Sequence, residues 1–232
     1  MLDELEARLR TEGISFNSEQ NRIRCFPHVI NIAVQAGLRE LTRVDHDIFP
    51  DEPGHTSYMP RDGVALENDV VAHVRTLVAN CRASGQRRQR FRDLTVALKL
   101  RKVQLLRDMD VRWSSTLSMI DRFLELYEAV EALVHESDAI TESLLSETER
   151  EVLIDICEFL YAPHSVQEIL SAERTPTLSL VLPLYENLIL LLRKMSEEKS
   201  KISHAINVSI HKLEEYFIKS RRTRVYALAM SK

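Results

Sequence analysis

Cys25 and His28 form a C-x-x-H pair within the sequence Cys-Phe-Pro-His. Thiolate and imidazole are both zinc ligands, but a structural zinc site takes four ligands in suitably spaced pairs. The other cysteines, Cys81 and Cys157, are isolated, and no second C-x-x-C, C-x-x-H or H-x3-H pair follows. The pattern therefore favours a buried structural contact between Cys25 and His28, with zinc binding as the less favoured alternative.

Asp108 and Asp110 are the acids placed most like catalytic carboxylates, yet neither has a partner identifiable from spacing. Metal-assisted phosphoryl chemistry needs convergent carboxylates. The sequence also lacks a glycine-rich phosphate loop, a G-x-S-x-G nucleophile motif and an H-E-x-x-H zinc motif. We therefore predict no catalytic residue, no bound metal or other cofactor, and no small-molecule substrate.

A basic block covers residues 75–112, with 11 basic and 3 acidic side chains, although the whole chain has a net charge of -4. Because arginine makes bidentate contacts with phosphate, the candidate DNA-binding residues are Arg82, Arg87, Arg88, Arg90 and Arg112. An acidic block follows at residues 113–174, with 3 basic and 14 acidic side chains. The basic block could therefore meet phosphate or pair with the acidic block of the same molecule.

Trp113, the one tryptophan in the chain, directly follows Arg112. An exposed tryptophan offers a stacking surface to an unpaired base, so Trp113 is also a candidate DNA-binding residue. The competing interpretation makes Trp113 the first core anchor of a long helix, with Arg112 paired to Asp110. Spacing alone favours the core position, because large aromatic side chains are mostly buried.

The composition predicts an all-α fold, a multi-helix bundle with at most one or two short strands near the amino terminus. Five Gly and seven Pro among 232 residues are too few for the turns of a many-stranded fold. Three cysteines favour a reducing compartment. The charged start lacks a signal-peptide pattern, and the apolar run Leu188–Leu192 is too short to span a bilayer. We therefore expect a soluble intracellular protein without a membrane partner.

Apolar periodicity predicts a series of helices, over residues 2–10, 29–41, 64–80, 91–106, 114–135, 148–160, 166–170, 178–195, 202–219 and 222–230. Alternation predicts a strand at 21–26. Thr148 with Glu151 has capping-box spacing. Pro163 and Pro183 are expected to kink or interrupt their helices.

Residues 45–63 contain three Pro, two Gly and many acids, which is typical of a flexible loop. A lone strand at 21–26 could not satisfy its own backbone groups, and the helix at 2–10 would expose its apolar stripe. We therefore expect a packed helical body from about residue 64 and a poorly anchored amino-terminal segment. Limited proteolysis should cut first within 45–63.

Five ordered segments resemble the hAT superfamily of DNA transposases, whose ribonuclease-H-like catalytic domain is interrupted by a large helical insertion. They are RIRCFPHVINIAVQAGL at 22–38, RASGQRRQRF at 82–91, LLRDMDVRWSSTLSMIDRFLEL at 105–126, ICEFLYAPHSVQEILSAERTPTLSLVLPLYENLI at 156–189 and AINVSIHKLEEYFIKSRRTRVYALAM at 205–230. Together they span most of the chain in the family's order.

The resemblance implies that residues 1–28 are a remnant of the ribonuclease-H-like catalytic fold, a helix plus a strand. Residues 29–232 then form the helical insertion domain. Family members hold a divalent metal with two Asp and a Glu, and these acids would lie before Met1 and beyond Lys232. The family's zinc finger and dimerisation segment would also lie outside the chain.

The resemblance also implies roles for single residues. Cys25 and His28 match the family's C-x-x-H, whose role is architectural. Arg112 and Trp113 match an R-W pair whose Trp holds a flipped base beside the cleaved strand, although Val111 replaces the Thr often found before that pair.

Three functions follow from these observations. The first is a catalytically incomplete fragment of a hAT-type transposase that keeps part of a DNA-binding surface, resides in the nucleus and could self-associate. The alternative is a helical protein-interaction module or domesticated scaffold without DNA binding. An intact enzyme is the least favoured, because no convergent carboxylates are found.

Overall fold

The computed structural model describes residues 2–18, 20–41, 69–109, 113–171 and 177–231. Within these ranges the chain forms α-helices, two short 3-10 helices at Leu178–Leu180 and Ser200–Ile202, and no strand. The α-helices are α1 (Leu2–Thr11), α2 (Phe26–Arg39), α3 (Val70–Cys81), α4 (Gly85–Ala97), α5 (Trp113–Glu125), α6 (Tyr127–Glu136), α7 (Glu147–Leu170), α8 (Val181–Glu198), α9 (Ser203–Arg221) and α10 (Arg224–Met230). The predicted all-α class is confirmed.

The most extensive helix packing in the described residues is that of α9 against α2 and α8. Gly37 allows α2 to approach α9 closely, because a Cβ at this position would lie 2.8 Å from the carbonyl oxygen of Ala205. Beside it, the buried Ser209 Oγ donates a hydrogen bond to the carbonyl oxygen of Ala33 at 2.9 Å. The buried Ser209 hydroxyl is thus satisfied, which avoids the cost of a buried unpaired hydroxyl.

A second group of helices packs around α7, which contacts α2, α3, α5 and α8. α7 buries one apolar face, including Leu153, Ile156 and Phe159. It runs without interruption through Pro163, where the sequence predicted a kink or restart of the helix. A proline inside a helix costs about 3 kcal/mol, and the buried face of a 24-residue helix is large enough to offset that cost.

Helix boundaries differ from the predicted ones where a side chain caps the first turn. α4 begins six residues earlier than predicted, because Ser84 accepts a hydrogen bond from the first turn. α7 begins at a capping box formed by Ser146 and Glu149, and not by the predicted Thr148 and Glu151. Pro183 lies in the first turn of α8, where its missing N–H breaks no helical hydrogen bond.

The single long helix predicted at 114–135 is divided into α5 and α6 at Leu126. Leu126 is fully buried and adopts a non-helical ψ of 19°. The apolar stripe continues through the break, so the periodicity of the sequence gave no sign of it.

The strand predicted at 21–26 is wrong, because residues 22–25 have no regular structure. Two of their carbonyl oxygens accept hydrogen bonds from the carboxy-terminal segment. Thr223 Oγ1 donates to the carbonyl of Arg22 at 3.2 Å, and Tyr226 OH donates to that of Arg24 at 3.4 Å. α1 buries no residue. The predicted loop at 45–63 lies outside the described residues, and the division at residue 28 stays a prediction.

Candidate nucleic-acid interface

Most residues of the basic block are carried by α4 and by the segment 98–109 that follows it, while Arg75 lies on α3 and Arg82 is the C-cap of α3. α4 ends where Lys99 adopts a φ of 57°, the left-handed conformation that commonly closes a helix. The chain then returns along the same helix. Gln104 Nε2 donates to the carbonyl oxygen of Arg88 on α4 at 3.3 Å, which holds the segment against the helix.

Asp108 fixes the far end of this segment. Its side chain is 3% exposed, and its Oδ2 accepts from Arg75 Nε at 2.8 Å and Nη2 at 2.7 Å. Its Oδ1 accepts from Ser115 Oγ at 2.6 Å, from Thr116 Oγ1 at 3.1 Å and from the Met109 N–H at 2.8 Å. Asp108 therefore ties the segment to α3 and α5, and its carboxylate is fully engaged within the protein.

Arg82, Arg88 and Arg107 form an arginine cluster at this junction. The half-buried Arg82 donates from Nη1 to the carbonyl oxygen of Leu105, and its buried Nε has no hydrogen-bond partner among the described residues. Burial lowers the pKa of Arg82, and the guanidinium groups of Arg107 and Arg88 lower it further. Both neighbours are exposed. Neither forms an ion pair with a described residue, so the cluster attracts anions.

Two of the predicted DNA-binding arginines are engaged inside the molecule. Arg87 donates to the carbonyl oxygens of Asn80 at 2.9 Å and Ala139 at 3.0 Å. Arg90 forms a bidentate pair with Glu136, with both distances 2.8 Å. This pair raises the pKa of Arg90 and lowers that of Glu136 through the hydrogen bonds between them. The basic block thus partly pairs with the acidic block, as one of its two interpretations predicted.

Trp113 occupies the core at the start of α5, with 3% of its surface exposed. Its ring packs edge-on against His164, at a centroid distance of 6.1 Å. The position matches the core-anchor interpretation, and in this conformation the ring offers no free face to a base. Arg112, Val111 and Asp110 lie outside the described residues, so the predicted pairing of Arg112 with Asp110 stays a prediction.

The buried contact predicted between Cys25 and His28 is wrong, because both side chains are exposed. Cys25 is the N-cap of α2, and its carbonyl accepts from the N–H of Val29 at 3.2 Å. Pro27 in the first turn has a φ suited to a helix start and lacks only an N–H that would be unpaired there. The motif begins the buried helix α2 through its backbone.

No group of three or more His, Cys, Asp or Glu side chains suited to a metal occurs in the described part of the chain. Among the described residues, Asp108 does not fit the divalent metal that the hAT resemblance implies for full-length relatives, since its carboxylate is already saturated by protein donors. No helix in the described ranges has the length and apolarity to cross a membrane.

A family model described as the ZBED1 RNase-like helical domain matches residues 23–159. The chain belongs to this family. The family derives from hAT transposases, which confirms the resemblance found in the sequence. No curated protein and no solved structure matches the chain. The match runs from just before α2 to the middle of α7, and therefore includes the arginine cluster and the Asp108 contacts.

The roles of two residues of this ZBED1-like domain were not predicted from the sequence. Asp108 was singled out only as an acid placed like a catalytic carboxylate, whereas it turns inward to Arg75 and anchors the segment that carries Arg107. Arg107 lies in the basic block but was not among the candidate DNA-binding residues. The available signal was the consecutive Arg107-Asp108 pair just before the R-W motif.

Proposed function

We propose that this chain is a catalytically incomplete, hAT-derived helical domain that binds the phosphate backbone of DNA through the arginine cluster. The observation that carries the proposal is the unmatched charge of Arg82, Arg88 and Arg107 among the described residues. Guanidinium groups bind phosphate oxygens in bidentate geometry. Family membership supports a nucleic-acid ligand, because the family derives from DNA transposases.

The backbone that carries the arginine cluster is held in place before any ligand binds. Arg88 extends from α4, Arg107 precedes the anchored Asp108, and the Arg82 side chain is oriented by the carbonyl of Leu105. Binding therefore has to order only the exposed side chains of Arg88 and Arg107, which limits its entropic cost. Contacts of this kind position a protein on DNA without reading its sequence. We therefore infer backbone binding with little sequence preference.

Strand cleavage is not part of the proposed activity of these residues. Asp108 is saturated by Arg75, Ser115 and Thr116, so it has no free lone pair for a metal ion. The test is incubation of the chain with supercoiled plasmid and Mg²⁺ or Mn²⁺. We expect no nicking. Metal-dependent nicking that the Asp110→Asn variant abolishes would overturn this part of the proposal.

Fluorescence anisotropy with a labelled DNA duplex, titrated at several salt concentrations, tests the binding proposal. Each phosphate contact contributes about 0.9 to the slope of log K against log salt. The Arg88→Gln/Arg107→Gln double variant should therefore reduce the magnitude of the slope by about 2. Arg90→Gln is the matched control, because Arg90 lies on the same helix and is paired with Glu136. Its slope should equal that of the wild type.

Two results would refute the binding proposal. One is an affinity that does not change with salt, because counterion release must accompany phosphate contacts. The other is an Arg90→Gln variant that loses as much affinity as Arg88→Gln, which would show that general charge and not the cluster attracts DNA.

We also propose that the protein works in the nucleus, where a DNA-binding domain meets its ligand. A fluorescent fusion expressed in eukaryotic cells tests this location. Exclusion of the fusion from the nucleus would contradict the proposal.

A further inference from the structure

α7 and α8 enclose an apolar groove of about 520 Å³. Its floor includes the buried Val166 and Met195, and its walls carry Tyr161 and Leu191, which are 60% and 46% exposed. Soluble proteins rarely leave a continuous apolar surface of this kind open unless it binds something. No part of the basic surface on α4 contributes to it.

α7 carries one exposed apolar side chain before the groove and one after it. Ile154 precedes Tyr161 by two helical turns and is 39% exposed, and Ile169 follows Tyr161 by two turns and is 50% exposed. At 1.5 Å per residue, the distance from Ile154 to Ile169 along the helix is about 22 Å. About four turns of a partner helix would cover this distance, with its central part in the groove.

Two carboxylates line the groove. The side chains of Glu158 and Glu198 are each 58% exposed, and Glu198 lies 3.6 Å from Lys194 on α8. Lys199, which also lines the groove, lies 2.6 Å from carboxylate oxygens of both Asp155 and Glu158, so two acids share its charge. α7 as a whole carries six acidic residues and one arginine. A binding partner would therefore gain from basic residues beside its apolar face.

We propose that the groove between α7 and α8 binds an amphipathic helix of a partner protein, with apolar side chains in the groove and lysine or arginine side chains against the carboxylates that line it. The helix would present apolar residues at positions i, i+3 or i+4, and i+7. This interaction is independent of DNA binding, because it uses other residues and the opposite charge.

The probe is a fluorescein-labelled peptide of 18 residues with leucines at those positions and lysines along both flanks. A control peptide keeps the leucines and replaces every lysine with glutamate. Binding to the full 232-residue chain is followed by fluorescence anisotropy. The lysine peptide should bind saturably, and the glutamate peptide should bind at least about tenfold more weakly.

Two protein variants locate the binding site. Leu191→Gln changes the groove wall, and Ile218→Gln changes a residue of similar exposure on α9, 55% against 46%. Both positions are exposed enough for the fold to tolerate glutamine. Leu191→Gln should weaken the lysine peptide about tenfold, whereas Ile218→Gln should leave its affinity unchanged.

A cross-linking measurement gives an independent readout. Cys157 lines the groove, and burial raises the pKa of its thiol to about 11, whereas Cys25 is exposed. An unguided bromoacetyl reagent should therefore alkylate Cys25 first. The lysine peptide with a bromoacetyl group at its centre should alkylate Cys157 in preference to Cys25, as measured by mass spectrometry.

The proposal would be overturned by any of four results. These are no saturable binding of the lysine peptide, equal binding of the two peptides, equal loss in the two protein variants, or preferential alkylation of Cys25 by the peptide. Concentration-dependent dimers that Leu191→Gln abolishes would also overturn it, because the groove would then hold a second copy of the chain.

Discussion

Replacement of Asp108 by asparagine should destabilise the protein strongly. An asparagine side chain has one oxygen and one NH2 group where Asp108 has two accepting oxygens. If the NH2 group of the asparagine lies where Oδ2 was, it meets the N–H donors of Arg75, and donor faces donor. If it lies where Oδ1 was, it meets the N–H of Met109 in the same unfavourable way. In both orientations Arg75 loses the negative charge of Asp108.

The expected cost follows from the burial of this pair. Removing one partner of a buried ion pair costs about 3–5 kcal/mol. The Asp108 side chain is 3% exposed, but that of Arg75 is 24% exposed and water can reach it. We therefore expect Asp108→Asn to lower the free energy of unfolding by about 2–4 kcal/mol.

Urea denaturation followed by circular dichroism measures this loss, and Trp113 provides a local signal. Trp113 is the single tryptophan, is buried, and starts the helix that Asp108 anchors. Its emission should shift to longer wavelength in the variant if the segment loosens. The control is Arg101→Gln, because Arg101 lies on the same segment and is 63% exposed in its pair with Glu125. It should cost under about 1 kcal/mol. An Asp108→Asn loss no larger than that of the control would refute the reasoning.

Three further predictions test the fold. Gly37→Ala should lower the unfolding free energy by about 1–3 kcal/mol, because the added Cβ would press on the backbone of α9. Gly85→Ala is the control, because its added Cβ would have nothing within 4 Å. Its unfolding free energy should not fall in the same urea titration. Ser146→Ala should lower the unfolding free energy by about 1 kcal/mol because it removes the helix cap, while Thr148→Ala should lower it much less. Equal losses in the two variants would contradict the assignment of Ser146 as the cap of α7. Glu215 has a pKa lowered chiefly by a hydrogen bond from a lysine one turn later. As the pH falls, Glu215 therefore binds a proton more readily in the unfolded state than in the folded state. The protein should lose stability as the pH falls below about 4. Glu215→Gln should reduce that loss in thermal melts at pH 3 to 7, and an unchanged pH profile would contradict the assignment.

The class of the fold could be predicted from the sequence because helical periodicity and the scarcity of Gly and Pro depend on local features. The ends of the helices were harder to predict, because they depend on which of two nearby hydroxyl groups accepts a hydrogen bond from the first turn of the helix. Ser146 and Thr148 have the same local pattern, with an acid three residues later. The break at Leu126 follows from the packing of α5 and α6 against different neighbours, which no local pattern records.

The candidate site was predictable as a region but not residue by residue. The block of 11 basic residues located it. An arginine of this block is available to bind phosphate only if no acid or carbonyl of the protein already engages it. The engaging groups lie far away in the sequence, such as Glu136 for Arg90 and the Ala139 carbonyl for Arg87. The same applies to Asp108, whose partner Arg75 is 33 residues away.

The contact between the segment 20–24 and the start of α10 has a consequence for how such a domain can be carried by a larger protein. Thr223 bonds to Arg22 across 201 residues of sequence, and the N–H of Arg224 donates to the carbonyl of Gln20 at 3.3 Å. The chain therefore enters and leaves the helical body at nearly the same point. A body with adjacent ends can be inserted into a surface loop of another fold without separating the elements on either side of that loop.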